Sequence, residues 1–306
     1  YAFLCWCKDT AYPATNGATN IAAGAVLRLW HDARESDSPA PPDADAIAAA
    51  LAHIDIEDLV LDDAAQTVYF ADPEMVLDVG AVGKGYAVEQ TARAAQARGL
   101  ASALLNIGGN VRAIGTKPDG SQWTGGVEDP WNASEVYTNT NSIFGSPINM
   151  SDLALVTSGD YQRYFVVDGK RYHHIIDPDT LWPAAYYNGV TVLCPDSGMA
   201  DCLTTALFCM PLEEGQKLVE SLDGVEAVSY THLRAHETVL VKMASACALA
   251  IISGKSIFNF GIAERLRTLR YSLFTEIFLM QKGCRTECAA AFCFIYPVIP
   301  SGITPR

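Results

Sequence analysis

The feature that most limits how this chain can fold is a change of composition near residue 228. From Val228 onward there are nine Lys and Arg against four Asp and Glu, whereas residues 1–227 carry 12 positive and 31 negative side chains. The first part is thus strongly acidic, at −19, and the second mildly basic, at +5. The junction from Val228 to Thr238 reads VSYTHLRAHET. Codon by codon, that is the translation of a transposase adapter used in sequencing libraries. Segments that originate outside a gene take no part in fold reasoning. The expectation is therefore one domain over residues 1–227 and a non-native tail over 228–306, with the last sheet edge of the domain left unpaired.

Four of the nine cysteines (Cys247, Cys284, Cys288 and Cys293) fall in that tail and support no zinc site. Cys194, Cys202 and Cys209 lie among Val, Leu, Ala and Phe, where a free thiol behaves as a small buried hydrophobe. The net charge of −14 argues against nucleic acid as a partner, because binding it requires clustered Lys and Arg. Any phosphate is expected to be met by metal and backbone. The apolar run Val239–Ile252 is interrupted by Lys242 and is too short for a membrane span.

Apolar spacing predicts a helix over residues 22–30, an exposed loop at Glu35–Asp45 and a short Ala-rich helix at Asp43–His53. LVLDD and TVYFA read as a hairpin, and MVLDVG as a strand ending in a glycine turn before a helix over Tyr86–Arg98. Residues 103–115 read as strand, glycine turn and strand. Trp123–Val127 and Leu153–Ser158 are further strands, separated by a polar loop at Asn132–Ser146. A hairpin turning at Asp168-Gly169 and the strand GVTVLC follow, then helices opening at Asp201 and Leu212. Hairpins mixed with packed helices indicate an α+β fold rather than a parallel doubly wound sheet.

Four segments could carry chemistry, each with a plainer reading beside it. Asp78-Val-Gly-Ala-Val-Gly-Lys-Gly-Tyr86 offers glycines and a helix N-terminus to an anion, or is simply a tight turn. Asn106-Ile-Gly-Gly-Asn110 is a binding loop or a bulge or hairpin turn. His173 and His174 are adjacent on a strand and face opposite ways, so at most one meets a given site. Asp201 and Thr205 share a helical face and could give hard oxygen ligands to Mg²⁺, or be an N-cap and an ordinary helical Thr.

Over nearly all of residues 17–227 the sequence resembles the ApbE family of flavin transferases. The matching segments are GATNIAAGAVLRLW, LDVGAVGKGYAVE, LLNIGGNVRAIG, LVTSGDYQRYF, YHHIIDPDT and ADCLTTALF, in that order. The resemblance implies mixed and antiparallel, T-fold-like sheets packed with helices around a cleft for FAD. It implies Asp201, Thr205 and the Ala81 carbonyl as Mg²⁺ ligands, and Ala18, Thr19, Asn20, Asp78, Lys84 and Ile176 as flavin contacts. His174 would stand at the reacting phosphates. The sequence departs from the family's frequent residues at Thr19-Asn20, Gly83 and Asn110.

The implied reaction is Mg²⁺-dependent transfer of FMN from FAD to a Thr or Ser hydroxyl of an acceptor flavoprotein subunit in a membrane redox complex, with release of AMP. Hydrolysis of FAD to FMN and AMP, or non-catalytic FAD binding, are the alternatives. Relatives are typically exported and lipid-anchored, so an extracytoplasmic, membrane-anchored lipoprotein is expected.

Overall fold

The computed structural model describes residues 1–127, 148–230, 238–242 and 257–258. The expected loop at Asn132–Ser146 lies outside the described residues. In chain order the helices are α1 (Ala2–Trp6), which continues through a π-helical turn (Cys7–Ala11) into α2 (Tyr12–Ala14), then α3 (Gly24–Glu35), α4 (Ala44–Ala50), α5 (Gly83–Ala97), α6 (Ser197–Phe208) and α7 (Leu212–Ser221). The strands are β1 (Leu59–Asp62), β2 (Thr67–Phe70), β3 (Ala103–Ile107), β4 (Asn110–Ile114), β5 (Trp123–Gly125), β6 (Ile148–Met150), β7 (Ala154–Gly159), β8 (Tyr164–Val167), β9 (Lys170–His173), β10 (Gly189–Cys194), β11 (Glu226–Tyr230), β12 (Thr238–Lys242) and β13 (Ile257–Phe258).

One sheet of order β13-β12-β11-β10-β7-β4-β3 organises the molecule, antiparallel except for the β12–β13 pair. Strand β10 lies between β7 and β11 and all six of its residues are buried, so both of its faces are covered. On one face, Val190, Val192 and Cys194 join Ala154 and Val156 of β7 against Leu203, Ala206, Leu207 and Phe208 of α6. On the other, Leu155 and Leu193 meet Ala113 and Met150. This is the period-two alternation of a sheet packed on both sides. Each such aliphatic or aromatic side chain contributes about 1.5–3 kcal/mol on burial.

Helix α6 begins earlier than the sequence suggests. Asp196 caps it, accepting the Met199 N–H at 2.9 Å, so Asp201 sits inside the helix and is not its cap. Ten of its twelve residues are buried, which makes it the central helix of the fold. MVLDVG is not a sheet strand. It makes a single parallel bridge, Val76 to Ala23, and ties to residues 21–24 through Gly24 N–H to Val76 O and Asp78 N–H to Ile21 O.

Strand β11 runs straight through the compositional junction. Val228, Ser229 and Tyr230 pair with Thr191, Val190 and Gly189 of β10, and Tyr230 is 1% exposed. The edge expected to be open after Ala227 is paired with β12. The reason is local: EAVSY holds the strand formers Val228 and Tyr230 and no Gly or Pro, so it extends the sheet whatever its origin.

Candidate functional site

The N-terminus of α5 crosses α6 at a distance only glycine allows. A Cβ on Gly85 would lie 2.3 Å from the Ser197 carbonyl oxygen and 2.5 Å from the Asp201 Cβ. Through that gap the Gly85 N–H donates to Asp201 Oδ2 at 2.8 Å. In an unbroken helix the same N–H would serve the carbonyl four residues back, Ala81, which among the described residues accepts no backbone hydrogen bond at the start of α5. The Lys84 ammonium stands 3.4 Å from Asp201 Oδ1. Asp201 is 3% exposed, and burial raises its pKa against the opposing pull of Lys84, the Gly85 N–H and the Asn110 amide. That amide sits beside the carboxylate, but among the described residues its Nδ2 closes no hydrogen bond of ordinary geometry.

The Gly108-Gly109 turn completes this corner. Both glycines have positive φ (58° and 90°), the backbone that a two-residue hairpin loop requires, so the plain turn reading is right for the backbone. The turn also lies over the Lys84 stem, whose Cδ would be 3.5 Å from a Cβ on Gly108.

Thr205 is half-buried one helical turn beyond Asp201, and among the described residues no hydrogen bond engages its hydroxyl. Thr19 is buried, and its hydroxyl donates to the Cys202 carbonyl at 3.0 Å, which docks the segment before α3 onto α6. Ala18 packs against the α6 core. Asn20 spends its side chain on structure, donating to Ile54 O and accepting from the Ala22 N–H. Asp78 likewise accepts the Gly80 N–H at 2.7 Å, shaping the turn before α5. Ile176 bridges to Pro183 and packs beside Trp30 of α3.

The two histidines separate as strand alternation requires. His173 is 6% exposed, with Nε2 2.8 Å from the Ala184 carbonyl and Nδ1 accepting the Ile175 N–H. Those two bonds fix a neutral ring with its proton on Nε2. His174 is half-buried on the other face, and its Nδ1 is buried without a partner among the described residues. Burial, reinforced by His173, Arg163 and Arg34, depresses its pKa to about 4, so the ring is neutral at pH 7. Among the described residues, no hydrogen bond or ion pair joins His174 to Lys84 or Asp201. The expected residues thus form two groups, one at the α5–α6 crossing and one on the β8–β9 hairpin.

Beneath the first group lie ion pairs that sequence reasoning did not single out. Glu89 of α5 is 3% exposed and takes Arg112 of β4 at 2.9 Å, Arg93 at 3.1 Å and the Ser197 N–H at 2.9 Å. Burial alone would raise the Glu89 pKa, but Arg112, the Ser197 N–H and Arg93 together hold it below the usual range. A Glu four residues before an Arg on α5 was the one available signal, and it reads equally well as a surface pair. Two cavities lie elsewhere, about 350 Å³ beside Asp160 and Trp182 and about 500 Å³ between α3 and β8, and neither is lined by an expected flavin or metal residue.

The ApbE family profile matches residues 7–229. An FAD:protein FMN transferase of Klebsiella pneumoniae is 33% identical over 232 residues, covering 76% of this chain and 69% of that protein. One of Treponema pallidum is 35% identical over 228 residues, covering 70% of this chain and 60% of that protein. Among solved structures, the ApbE protein of Thermotoga maritima superposes with a TM-score of 0.65 at 31% identity, over 75% of this chain and 72% of that one. The flavin transferase ApbE of Vibrio cholerae gives 0.62 at 28%, over 76% and 71%. With its central sheet, its α5–α6 corner and its ordered motifs all accounted for, the chain belongs to the ApbE family.

Proposed function

We propose that the protein transfers FMN from FAD to a Ser or Thr hydroxyl of an acceptor flavoprotein and releases AMP. The observation that carries this reading is the α5–α6 corner, where Lys84 and the glycine-rich N-terminus of α5 face a buried carboxylate. A helix N-terminus and an ammonium suit a pyrophosphate, and a second charge-neutralising group is needed beside the acid.

The donor set fits Mg²⁺, which takes few protein oxygens and keeps substrate phosphate and water as its other ligands. Asp201 would supply a carboxylate, Ala81 a carbonyl freed from the helix ladder, and Thr205 a hydroxyl that no hydrogen bond engages among the described residues. The raised pKa of Asp201 describes a carboxylate that a cation would relieve. Among the described residues no group of three or more His, Cys, Asp and Glu is placed to hold a metal ion. When bound, the ion would neutralise charge spreading over the transferred phosphoryl group.

The chain's own residues divide the remaining work. Lys84 holds the pyrophosphate by charge, the Gly108-Gly109 turn keeps the Lys84 stem in place, and Thr19 and Ala18 fix the neighbouring segment against α6. The acceptor oxygen forms a bond to the FMN phosphorus as the bond from that phosphorus to the AMP oxygen breaks. The hydroxyl proton passes to His174, whose Nδ1 has no hydrogen-bond partner among the described residues and whose depressed pKa the negative charge of the phosphates would offset. The acceptor belongs, on this reading, to a membrane redox complex, and the intact protein is an exported lipoprotein. No described helix is long and apolar enough to cross a membrane.

Incubating the protein with FAD, Mg²⁺ and a Thr-containing acceptor domain tests the proposal. Covalent flavin fluorescence on the acceptor, with one AMP per flavin, is the expected result. Free FMN with an unmodified acceptor would make the protein a hydrolase, and intact FAD throughout would make it a binding protein.

A further inference from the structure

The β1–β2 hairpin is a sheet of its own, and on it apolar surface and negative charge meet. Residues 35–83 carry 12 Asp and Glu and no Lys or Arg. Within that stretch Val60, Val68, Tyr69 and Phe70 stand exposed, and every residue of β2 does so. A hairpin only two strands wide needs one face covered to hold its shape. Register identifies that face and where its cover stops. Leu59 lies opposite Phe70 and Leu61 opposite Val68, so these four side chains share a face. Leu59 is 0% exposed in a cluster with Ile21, Met75 and Val82, and Leu61 packs against the same cluster. Phe70 and Val68, on the same face, are 39% and 40% exposed. The apolar face thus runs on past the core that covers β1 and is left open on β2.

The backbone of β2 is open as well. The Ala71 N–H donates to the Asp58 carbonyl at 2.8 Å, which makes 58 and 71 a hydrogen-bonded pair. Such pairs alternate along an antiparallel ladder, so 60 with 69 and 62 with 67 are the next two. The N–H and C=O groups of Val68 and Phe70 therefore point away from β1. Among the described residues no second strand lies beside β2. Natural edge strands are blunted by Lys, by Pro or by a bulge. Thr67-Val-Tyr-Phe70 contains neither residue, and its register with β1 runs without a shift.

Charge decides what can pair there. Asp62 and Asp63 lie at one end of β2, Asp72 and Glu74 beyond the other, and Asp55, Glu57 and Asp58 lead into β1. To these seven carboxylates the described ion pairs bring one lysine, Lys8 on Glu57, and one histidine, His53, between Asp72 and Glu74. A second copy of the chain would bring the same carboxylates to the same edge, and an anionic lipid surface would be repelled too.

We propose that β2 is a docking edge for an extended segment of a partner protein in which apolar residues alternate with Lys or Arg. The segment adds a third strand to the hairpin. Its backbone pairs with Val68 and Phe70, and its apolar side chains continue the face of Leu59, Leu61, Val68 and Phe70. Its basic side chains fall on the opposite face, with Asp62 and the exposed Tyr69 ring, where a carboxylate and an aromatic face both attract a cation. The surface uses none of the residues at the Lys84 corner, and the inference holds whichever reaction that corner performs.

The test uses the full chain and three fluorescent peptides: Gly-Lys-Val-Lys-Val-Lys-Val-Gly, the same sequence with Glu for Lys, and the block isomer Gly-Lys-Lys-Lys-Val-Val-Val-Gly. In fluorescence polarisation at low salt the alternating Lys peptide should bind at least about tenfold more tightly than either of the others. Val68→Pro removes an N–H that faces away from β1 and so spares the hairpin ladder. It should lose that tenfold, as should Val68→Lys, which puts a cation on the edge. Equal binding of the alternating and block peptides would mean attraction by charge alone and would overturn the strand pairing, as would full affinity in both Val68 variants. A wild-type dimer in sedimentation that Val68→Pro dissolves would put a second copy on the edge and overturn the choice of partner.

Discussion

Asp201 and His174 are both titratable groups withdrawn from water, and the protein treats them in opposite ways. Asp201 lies at a helix crossing, held by a backbone N–H and an ammonium with an amide alongside. His174 lies on a two-stranded hairpin with its Nδ1 unanswered. The first arrangement locks a position that cannot shift without parting two helices. The second leaves a group with spare hydrogen-bonding capacity, which is what a residue needs if its partner arrives only with substrate. A buried polar atom without a partner costs about 1–3 kcal/mol, so the fold carries that cost at His174 and avoids it at His173.

The contrast can be broken most forcefully beneath Asp201. Arg112→Ala would leave the buried Glu89 carboxylate with only Arg93 and the Ser197 N–H and should lower unfolding free energy by about 3 kcal/mol in a denaturant titration. A loss under 1 kcal/mol would mean that the α5–α6 crossing is not locked from below.

The His174 side is expected to declare itself through pH. Its folded pKa of about 4 is below the ordinary 6.5, so its neutral form favours the folded state. That stability is present above pH 6.5 and is lost as pH falls toward 4, by up to about 3 kcal/mol. His174→Gln should flatten this part of the stability curve, and a variant with the wild-type slope would show that the ring is not withdrawn from water. Arg163 and Arg34, the cations that face it, should steepen the same slope.

At the crossing, Asp201→Ala should reduce Mg²⁺-dependent AMP release at least about 100-fold, equivalent to roughly 2.7 kcal/mol of barrier. Thr205→Val should cost about tenfold in the same assay. Turnover unchanged by Asp201→Ala would remove the carboxylate from the metal assignment. The smallest effect belongs to the histidine that faces inward: His173→Ala should cost about 1–2 kcal/mol of stability through the lost Ala184 bond. If it abolished transfer while His174→Ala did not, the roles of the two faces would be exchanged.

Much of this was legible in the residues. The hairpin at 59–70 follows from two apolar-rich runs separated by Asp-Ala-Ala-Gln, and those at 103–114 and 164–173 from Gly-Gly and Asp-Gly turns, where Asp168 and Gly169 do take the positive φ that such turns require. The His173/His174 division follows from the period of a strand. The start of α6 was not legible, because Pro195-Asp196 punctuates the chain no more loudly than the residues after it. Nor was Val76–Asp78 as a lone bridge, since single backbone bonds leave no periodic trace. The Glu89–Arg112 pair joins residues 23 apart on a helix and a strand, and only the crossing of α5 with β4 brings them together.

The bond from Thr19 to the Cys202 carbonyl joins residues 183 positions apart. During synthesis the first half of the proposed site emerges long before its second half exists. Until α6 leaves the ribosome, Ala18 and Thr19 lack the helix they dock on, and the glycine at position 85 faces water in place of Asp201. Domains whose contacts span such separations fold slowly and late. A nascent chain halted before residue 202 should bind no flavin at all, so the ability to hold FAD is a timestamp for the completion of the domain.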